Sequence, residues 1–185
     1  MSARQIYRFR LAGGVVLATV ALLVAGAFAV SVSFPNEGFA DRIRLVAVSE
    51  ARAEVAAGVQ PPRLDIVRAE TLRTLRQRPG DAAAWGRLAW IADREGRVSD
   101  ALVALDRTYV VAPYGPDLTA WRLRFAYGRW AMLTPGLRRQ ATAELRVAIR
   151  DRPGVVEAAE REITDPAGRL AFVLTRRAAT ADQAK

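Results

Sequence analysis

The chain has 185 residues, 51% of them hydrophobic, which is enough for one domain of ordinary size with its own core. It carries 28 basic and 19 acidic residues, and 27 of the basic residues are arginine because Lys185 is the only lysine. The absence of cysteine and histidine excludes disulfides, thiolate chemistry, histidine bases and the usual zinc sites, so the sequence predicts no metal and no cofactor.

The positive charge does not indicate nucleic-acid binding. All 19 acidic residues follow residue 36, where 25 basic residues accompany them, a net charge of +6 for that part of the chain. Because the arginines are dispersed among acids rather than gathered in a block, solvated helix faces account for them. The sequence predicts neither a nucleic-acid partner nor a small-molecule substrate.

The first predicted element is an apolar run from Leu11 to Phe34, which contains no charge. Its 24 residues, at about 1.5 Å each, could cross a hydrocarbon core of about 30 Å, so the sequence predicts a transmembrane helix over 11–34 after a basic cytoplasmic tail over 1–10. Ala27-Phe28-Ala29 leaves open a cleaved signal peptide, although the length of the run favours a signal anchor. The preceding arginines predict a single-pass protein of the bacterial inner membrane with its C-terminal domain in the periplasm.

The next segment, 35–80, is predicted to form a helical linker and N-terminal capping helices. One helix is expected over Asp41–Ala57 and a second over about Leu64–Gln77, each followed by glycine and proline breaks. No stretch alternates with period two, so the sequence predicts an all-α fold. In the second helix, apolar residues recur at three-residue steps along one side: Ile66, Ala69, Leu72 and Leu75.

The stretch Ala82–Pro113 has the pattern of two helices joined by a turn at Gly96, with Asp81 as the cap of the first. Its apolar and small residues are Trp85, Leu88, Ala89 and Ala92 on the first helix, and Ala101, Leu105 and Thr108 on the second, before Pro113. These positions resemble the tetratricopeptide repeat (TPR), in which Ala92 would replace a tyrosine and Thr108 an alanine.

A second unit follows at a related spacing. Leu123 and Tyr127 match Leu88 and Ala92 at an offset of 35, and a further set matches the second helix at an offset of 40: Ala141, Leu145, Ala148 and Pro153. The sequence therefore predicts two TPR-like units over 81–153, with C-terminal capping helices and a tail over 154–185. The expected architecture is one transmembrane helix followed by a short TPR-like helical-hairpin array, an α-α superhelix.

The resemblance also implies a binding surface, because the first helix of each TPR unit lines a groove that binds peptides. By position, the protein-binding residues would be Ala83, Gly86, Trp90, Asp93 and Arg94. Trp90 lies about 140° around the helix from Trp85, so the two rings belong to different faces. Beside Arg94 it would make a binding anchor, and the alternative is that it packs under the preceding helix or the C-terminal tail.

Three further aromatic residues, Trp121, Phe125 and Trp130, follow the first helix of the second unit at steps of four and five. Filling the core is the expected role of such a stripe, and a ligand-binding aromatic shelf is the alternative. The arginines between them are expected to extend to solvent along apolar surface: Arg122, Arg124 and Arg129.

The predicted function is that of a scaffold or adaptor that binds protein partners. The chain looks most similar to membrane-anchored accessory proteins of envelope polysaccharide synthesis and export. Alternatives are a TPR factor of cytochrome c maturation, or a structural subunit of a membrane complex packed through Gly13-Gly14 and Gly26. An enzyme is not predicted, because no spacing places two acids around a pocket, and Asp93 with Glu95 reads as a polar helix face.

Overall fold

The computed structural model describes residues 17–30 and 46–183. These residues form helices joined by short turns and contain no strand, so the predicted all-α class is confirmed for them. A 3₁₀ turn, Trp130–Met132, lies between α6 and α7. The helices are α1 (17–30), α2 (Val46–Gly58), α3 (Leu64–Gln77), α4 (Ala82–Arg94), α5 (Val98–Val111), α6 (Thr119–Tyr127), α7 (Pro135–Asp151), α8 (Pro153–Glu162) and α9 (Pro166–Gln183).

The predicted transmembrane helix is not supported. The described part of the apolar run is the helix α1. Among the described helices, none combines the length and the apolarity that crossing a bilayer requires. The prediction of a single-pass inner-membrane protein with a periplasmic domain is therefore wrong. The ends of the run, 11–16 and 31–34, and the basic tail over 1–10 lie outside the described residues.

The described residues belong to two compact units, the first ending at Arg73 and the second beginning at Thr74. In the first unit, the connection between α2 and α3 is closed by the Arg63 amide, which donates to the Ala56 carbonyl at 3.0 Å. Arg52 on α2 and Glu70 on α3 lie 3.8 Å apart as an ion pair, each with its side chain only 7% exposed. The two opposite charges face each other across the contact between α2 and α3.

Helix α3 has the predicted bounds but a different buried face. Of the predicted side, only Leu75 is buried, whereas Ile66, Ala69 and Leu72 are exposed or only partly buried. Thr71 is fully buried because its hydroxyl donates to the Val67 carbonyl at 2.6 Å, so the side chain brings no unsatisfied polar group into the interior. The buried residues of the helix are Val67, Glu70, Thr71, Thr74 and Leu75.

After the last residues of α3, the second unit continues with a hairpin formed by α4 and α5. Asp81 caps α4 as predicted, since its Oδ1 atom accepts from the Ala84 amide at 2.9 Å. Gly96 turns the chain with a φ of +70°, in the left-handed region that favours glycine. The small and apolar residues of the repeat-like spacing are buried between the helices, with Trp85 and Leu88 partly buried against them: Ala89, Ala92, Ala101, Leu105 and Thr108.

The remaining helices of this unit pack around α6 and α7. Both α8 and α9 contact α6 and α7, and the second set of repeat-like positions is buried among them: Leu123, Tyr127, Ala141, Leu145 and Ala148. Phe172 of α9 meets the Tyr127 ring edge-on, with centroids 5.0 Å apart. The closest approach is at Gly168, where a Cβ atom would lie 1.7 Å from the Tyr127 carbonyl oxygen. Only a glycine fits at this crossing.

Candidate functional site: the surface of α4 and α6

The five residues at which the resemblance places peptide binding have different environments. Ala83 and Arg94 are exposed, and Trp90 is partly buried. Gly86 is buried, and the Asp93 carboxylate is held by an ion pair. Three of the five positions are therefore open to a partner, while Gly86 contacts α6 and Asp93 binds Arg129, just beyond α6.

Trp90 and Arg94 form one feature of this surface. They are four residues apart on α4, which places them on the same side of the helix. The Arg94 guanidinium carbon lies 5.5 Å from the centre of the Trp90 ring, a cation–π distance. Among the described residues no carboxylate lies within ion-pair distance of Arg94. The pair therefore presents an apolar ring beside an uncompensated positive charge.

The other two positions bring α6 against α4. A Cβ atom on Gly86 would lie 3.5 Å from the Trp121 ring and 3.8 Å from the Leu118 side chain, so Trp121 covers the Gly86 backbone. At the C-terminal end of α4, Asp93 binds Arg129 through two hydrogen bonds, of which Nε to Oδ1 measures 2.7 Å. Such a bidentate pair fixes the orientation of both side chains.

Two aromatic rings of α6 fill the core, as expected for this stripe: Phe125 is buried, and Trp121 is partly buried against the core. The rings of Trp121 and Phe125 have centroids 4.9 Å apart and are tilted by 33°. The Arg129 guanidinium lies 4.3 Å from the centre of the Phe125 ring while it binds Asp93. We name the α4–α6 surface for these residues: Ala83, Trp90, Asp93, Arg94, Trp121 and Arg129.

The α6 half of this surface is missing from the sequence prediction, although a signal for it exists. The offset of 35 that relates Leu123 to Leu88 also carries Gly86 to Trp121, Trp90 to Phe125 and Arg94 to Arg129. The groove positions of one unit therefore correspond to those of the next. Trp130 does not belong to this surface, because it stacks on Tyr127 with centroids 4.7 Å apart and an interplanar angle of 8°.

The sequence predicted that Arg122 on α6 extends to solvent. This prediction is wrong, because the side chain is fully buried. Its Nε atom donates to the Thr108 hydroxyl at 3.0 Å and its Nη2 atom to the Thr108 carbonyl at 2.5 Å. Its Nη1 atom lies 3.4 Å from Glu144 Oε1, and its guanidinium carbon lies 4.6 Å from the centre of the Tyr109 ring. The other two arginines of the stripe are ion-paired, Arg124 with Glu162 and Arg129 with Asp93.

Glu144 on α7 completes a group that we call the Arg122 network. Its two carboxylate oxygens accept from the Thr119 hydroxyl at 2.9 Å and from the Tyr109 hydroxyl at 2.8 Å. Burial raises the pKa of Glu144 above its usual value of 4.5, against the opposing effect of these hydrogen bonds and of Arg122. Burial and the adjacent Glu144 raise the pKa of Tyr109 well above its usual value, so Tyr109 remains a donor. The network joins α5, α6 and α7 and so supports the position of α6.

The acidic residues of the site are bound by arginines. Asp93 binds Arg129, and Glu95, just beyond α4, binds Arg97 at 2.6 Å. Within residues 17–30 and 46–183, no group of three or more acidic side chains is arranged to hold a metal ion. The chemistry that the α4–α6 surface offers is therefore contact through aromatic rings and guanidinium groups.

Comparison with protein-family models, with curated proteins and with solved structures finds no match to the chain. The functional interpretation consequently rests on the geometry of the described residues.

Proposed function

We propose that the chain is a small TPR-like helical scaffold whose α4–α6 surface binds a segment of a partner protein. The TPR-like part consists of the α4–α5 hairpin and the α6–α7 pair, with α8 and α9 packed on the second pair. Small residues at the helix crossings and larger apolar residues between them are what such a packing requires.

The buried positions of the two units support the repeat. Ala101, Leu105 and Thr108 on α5 are fully buried, and the residues forty positions later on α7, Ala141, Leu145 and Ala148, are buried as well. A spacing of four and three places each trio on one side of its helix. The second helices of the two units therefore bury equivalent faces.

One observation carries the functional proposal: groove positions of both units lie on one surface. Gly86 meets Trp121, and Asp93 binds Arg129, so groove positions of α4 contact residues at related repeat positions on α6 and just beyond it. Trp90 and Arg94 occupy the same side of α4. A surface assembled from the first helices of successive units is the arrangement by which helical repeats bind extended or helical segments.

The side chains of this surface indicate the chemistry of the partner segment. The partly buried Trp90 ring offers an apolar contact area, and tryptophan and arginine are the residues most enriched among binding anchors. Arg94 has no described carboxylate of its own to bind. We therefore expect a segment with an apolar residue for Trp90 and an acidic residue, or a terminal carboxylate, for Arg94.

The proposal is tested by selecting a random peptide-display library on the immobilised full-length chain and measuring the affinity of an enriched peptide by fluorescence polarisation. Trp90→Ala is expected to weaken binding by about 30-fold, the loss typical of a central anchor of about 2 kcal/mol. Arg94→Glu is expected to weaken acidic peptides most.

Tyr114→Ala is the matched control, because Tyr114 is an exposed aromatic residue beyond the end of α5. Its affinity for the same peptide should equal that of the wild type. Equal affinities of the wild type and the Trp90→Ala variant, or an equal loss in the control, would contradict the assignment to the α4–α6 surface.

A further inference from the structure

The α7 helix carries an open depression of about 280 Å³ on its solvent side. Five residues line it, three of them arginines and none of them acidic: Arg138, Arg139, Thr142, Ala143 and Arg146. The lining therefore carries charge of one sign only. It lies on a different helix from the α4–α6 surface and takes no part in it.

Arg138 is held in place by the turn that precedes α7. Its Nε atom donates to the Trp130 carbonyl and its Nη2 atom to the Ala131 carbonyl, both at 3.2 Å. Its guanidinium carbon also lies 5.6 Å from the centre of the Trp130 ring. These contacts fix the direction of the group without neutralising its charge. An anion that binds it would find one cation already oriented.

Arg139 and Arg146 are exposed on the same helix, two turns apart. Within the part of the chain that the structure describes, neither has a carboxylate within ion-pair distance. The positive charge of the depression is therefore uncompensated by the described protein groups.

We propose that the α7 depression binds a tetrahedral oxyanion of the phosphate class, either free or carried as a phosphoryl group by a small organic molecule. Guanidinium groups match the geometry of phosphate oxygens by donating two parallel hydrogen bonds, and each of these bonds is charge-assisted. The volume of about 280 Å³ accommodates such a group.

The test is isothermal titration of the full-length chain with inorganic phosphate and, separately, with phenyl phosphate, at constant ionic strength and with chloride as the reference anion. Saturable binding is expected, and the Arg139→Gln, Arg146→Gln double variant should lose at least about tenfold in affinity, the effect of removing charge-assisted bonds. Arg146→Lys should give a smaller loss, because it keeps the charge but not the paired donors.

Arg107→Gln is the control, because Arg107 is an exposed arginine on α5, outside the depression. It should bind phosphate as the wild type does, and thermal unfolding of every variant checks that the fold is retained. Tighter binding of phenyl phosphate would assign the anion to an organic monoester, and equal binding to the free ion. Absence of saturable binding, or equal affinity of the double variant and the wild type, would overturn the proposal.

Discussion

The α4–α5 hairpin and the α6–α7 pair bury the same spacing of residues but are joined in different ways. In the hairpin, a three-residue turn leads directly from one helix to the next, and the contact consists of small apolar residues such as Ala89 and Ala101. In the second pair, a longer connection with a 3₁₀ turn separates the helices, and the Arg122 network ties both to α5. Apolar packing therefore forms each helix pair, while the buried polar side chains of the Arg122 network join the first pair to the second.

The polar contact between the two helix pairs explains why Thr108 departs from the TPR pattern. Thr108 occupies a position where the TPR pattern has an alanine, and in the structure its hydroxyl and its carbonyl both accept from Arg122. The hydroxyl also donates to the Leu105 carbonyl at 2.7 Å. An alanine would leave the Arg122 Nε donor unsatisfied in the interior, at a cost comparable to that of a lost hydrogen bond. Thr108 therefore contributes to the contact between the two helix pairs rather than to the packing of its own hairpin.

The largest effect is expected when the network loses its acid. In Glu144→Ala, Arg122 remains buried without its counter-charge, and Tyr109 and Thr119 lose their acceptor. Breaking a buried ion pair in this way typically lowers the free energy of unfolding by about 3–5 kcal/mol. Urea denaturation at pH 7, followed by circular dichroism, measures the loss.

Asp151→Ala provides the control for this prediction. Asp151 is on the same helix and is also paired with an arginine, Arg150, but both side chains are exposed. Its removal should change the free energy of unfolding by less than about 1 kcal/mol. A similar small change for Glu144→Ala would mean that apolar packing alone joins the two pairs.

Substitutions at equivalent apolar positions of the two helix pairs should lower the free energy of unfolding equally. Leu105 on α5 and Leu145 on α7 are both fully buried at matching repeat positions. Leu105→Ala and Leu145→Ala should each lower the free energy of unfolding by about 2–5 kcal/mol through lost burial and the cavity left behind. Val103→Ala, at an exposed position of α5, is the control and should change it little. A much smaller loss at Leu145 would show that the second pair depends on the Arg122 network instead of its apolar core.

The same contrast explains which features could be predicted from the sequence. Local signals predicted the bounds of α3, the Asp81 cap and the turn at Gly96, because they depend on neighbouring residues. The buried side of α3 was missed because Thr71 becomes compatible with the interior only through its bond to Val67. The α6 half of the candidate site and the Arg122 network depend on which helices pack together. The sequence of a single helix does not determine this. The membrane prediction depended on the length of the apolar run, of which the described helix covers only 17–30.

The packing of α9 on α6 can be tested with two glycines of opposite expected effect. Gly168→Ala would place its Cβ atom 1.7 Å from the Tyr127 carbonyl oxygen, a backbone atom, so α9 must shift. Such overpacking lowers the free energy of unfolding by about 1–3 kcal/mol. Gly154→Ala on α8 is the control, because nothing lies within 4 Å of its Cβ position, and a helical alanine should raise the free energy of unfolding by up to about 1 kcal/mol. Equal effects of the two substitutions would mean that α9 is not seated on α6.

The smallest expected effect is the pH dependence that Glu144 gives to the free energy of unfolding. Burial raises the pKa of Glu144 in the folded state above 4.5, so between 4.5 and the folded pKa the native protein holds the proton more tightly than the unfolded chain does. The contribution of Glu144 to stability is therefore fully present below pH 4.5 and is lost as the pH rises through the folded pKa. The free energy of unfolding of the wild type minus that of Glu144→Gln, measured by urea denaturation at intervals from pH 4 to 8, should fall with rising pH by no more than about 1.4 kcal/mol per unit. Carboxylates outside the network titrate in both proteins, so their effect on the free energy of unfolding cancels in this difference. A difference that rises with pH would show instead that attraction to Arg122 outweighs burial, and that the network is held mainly by its ion pair.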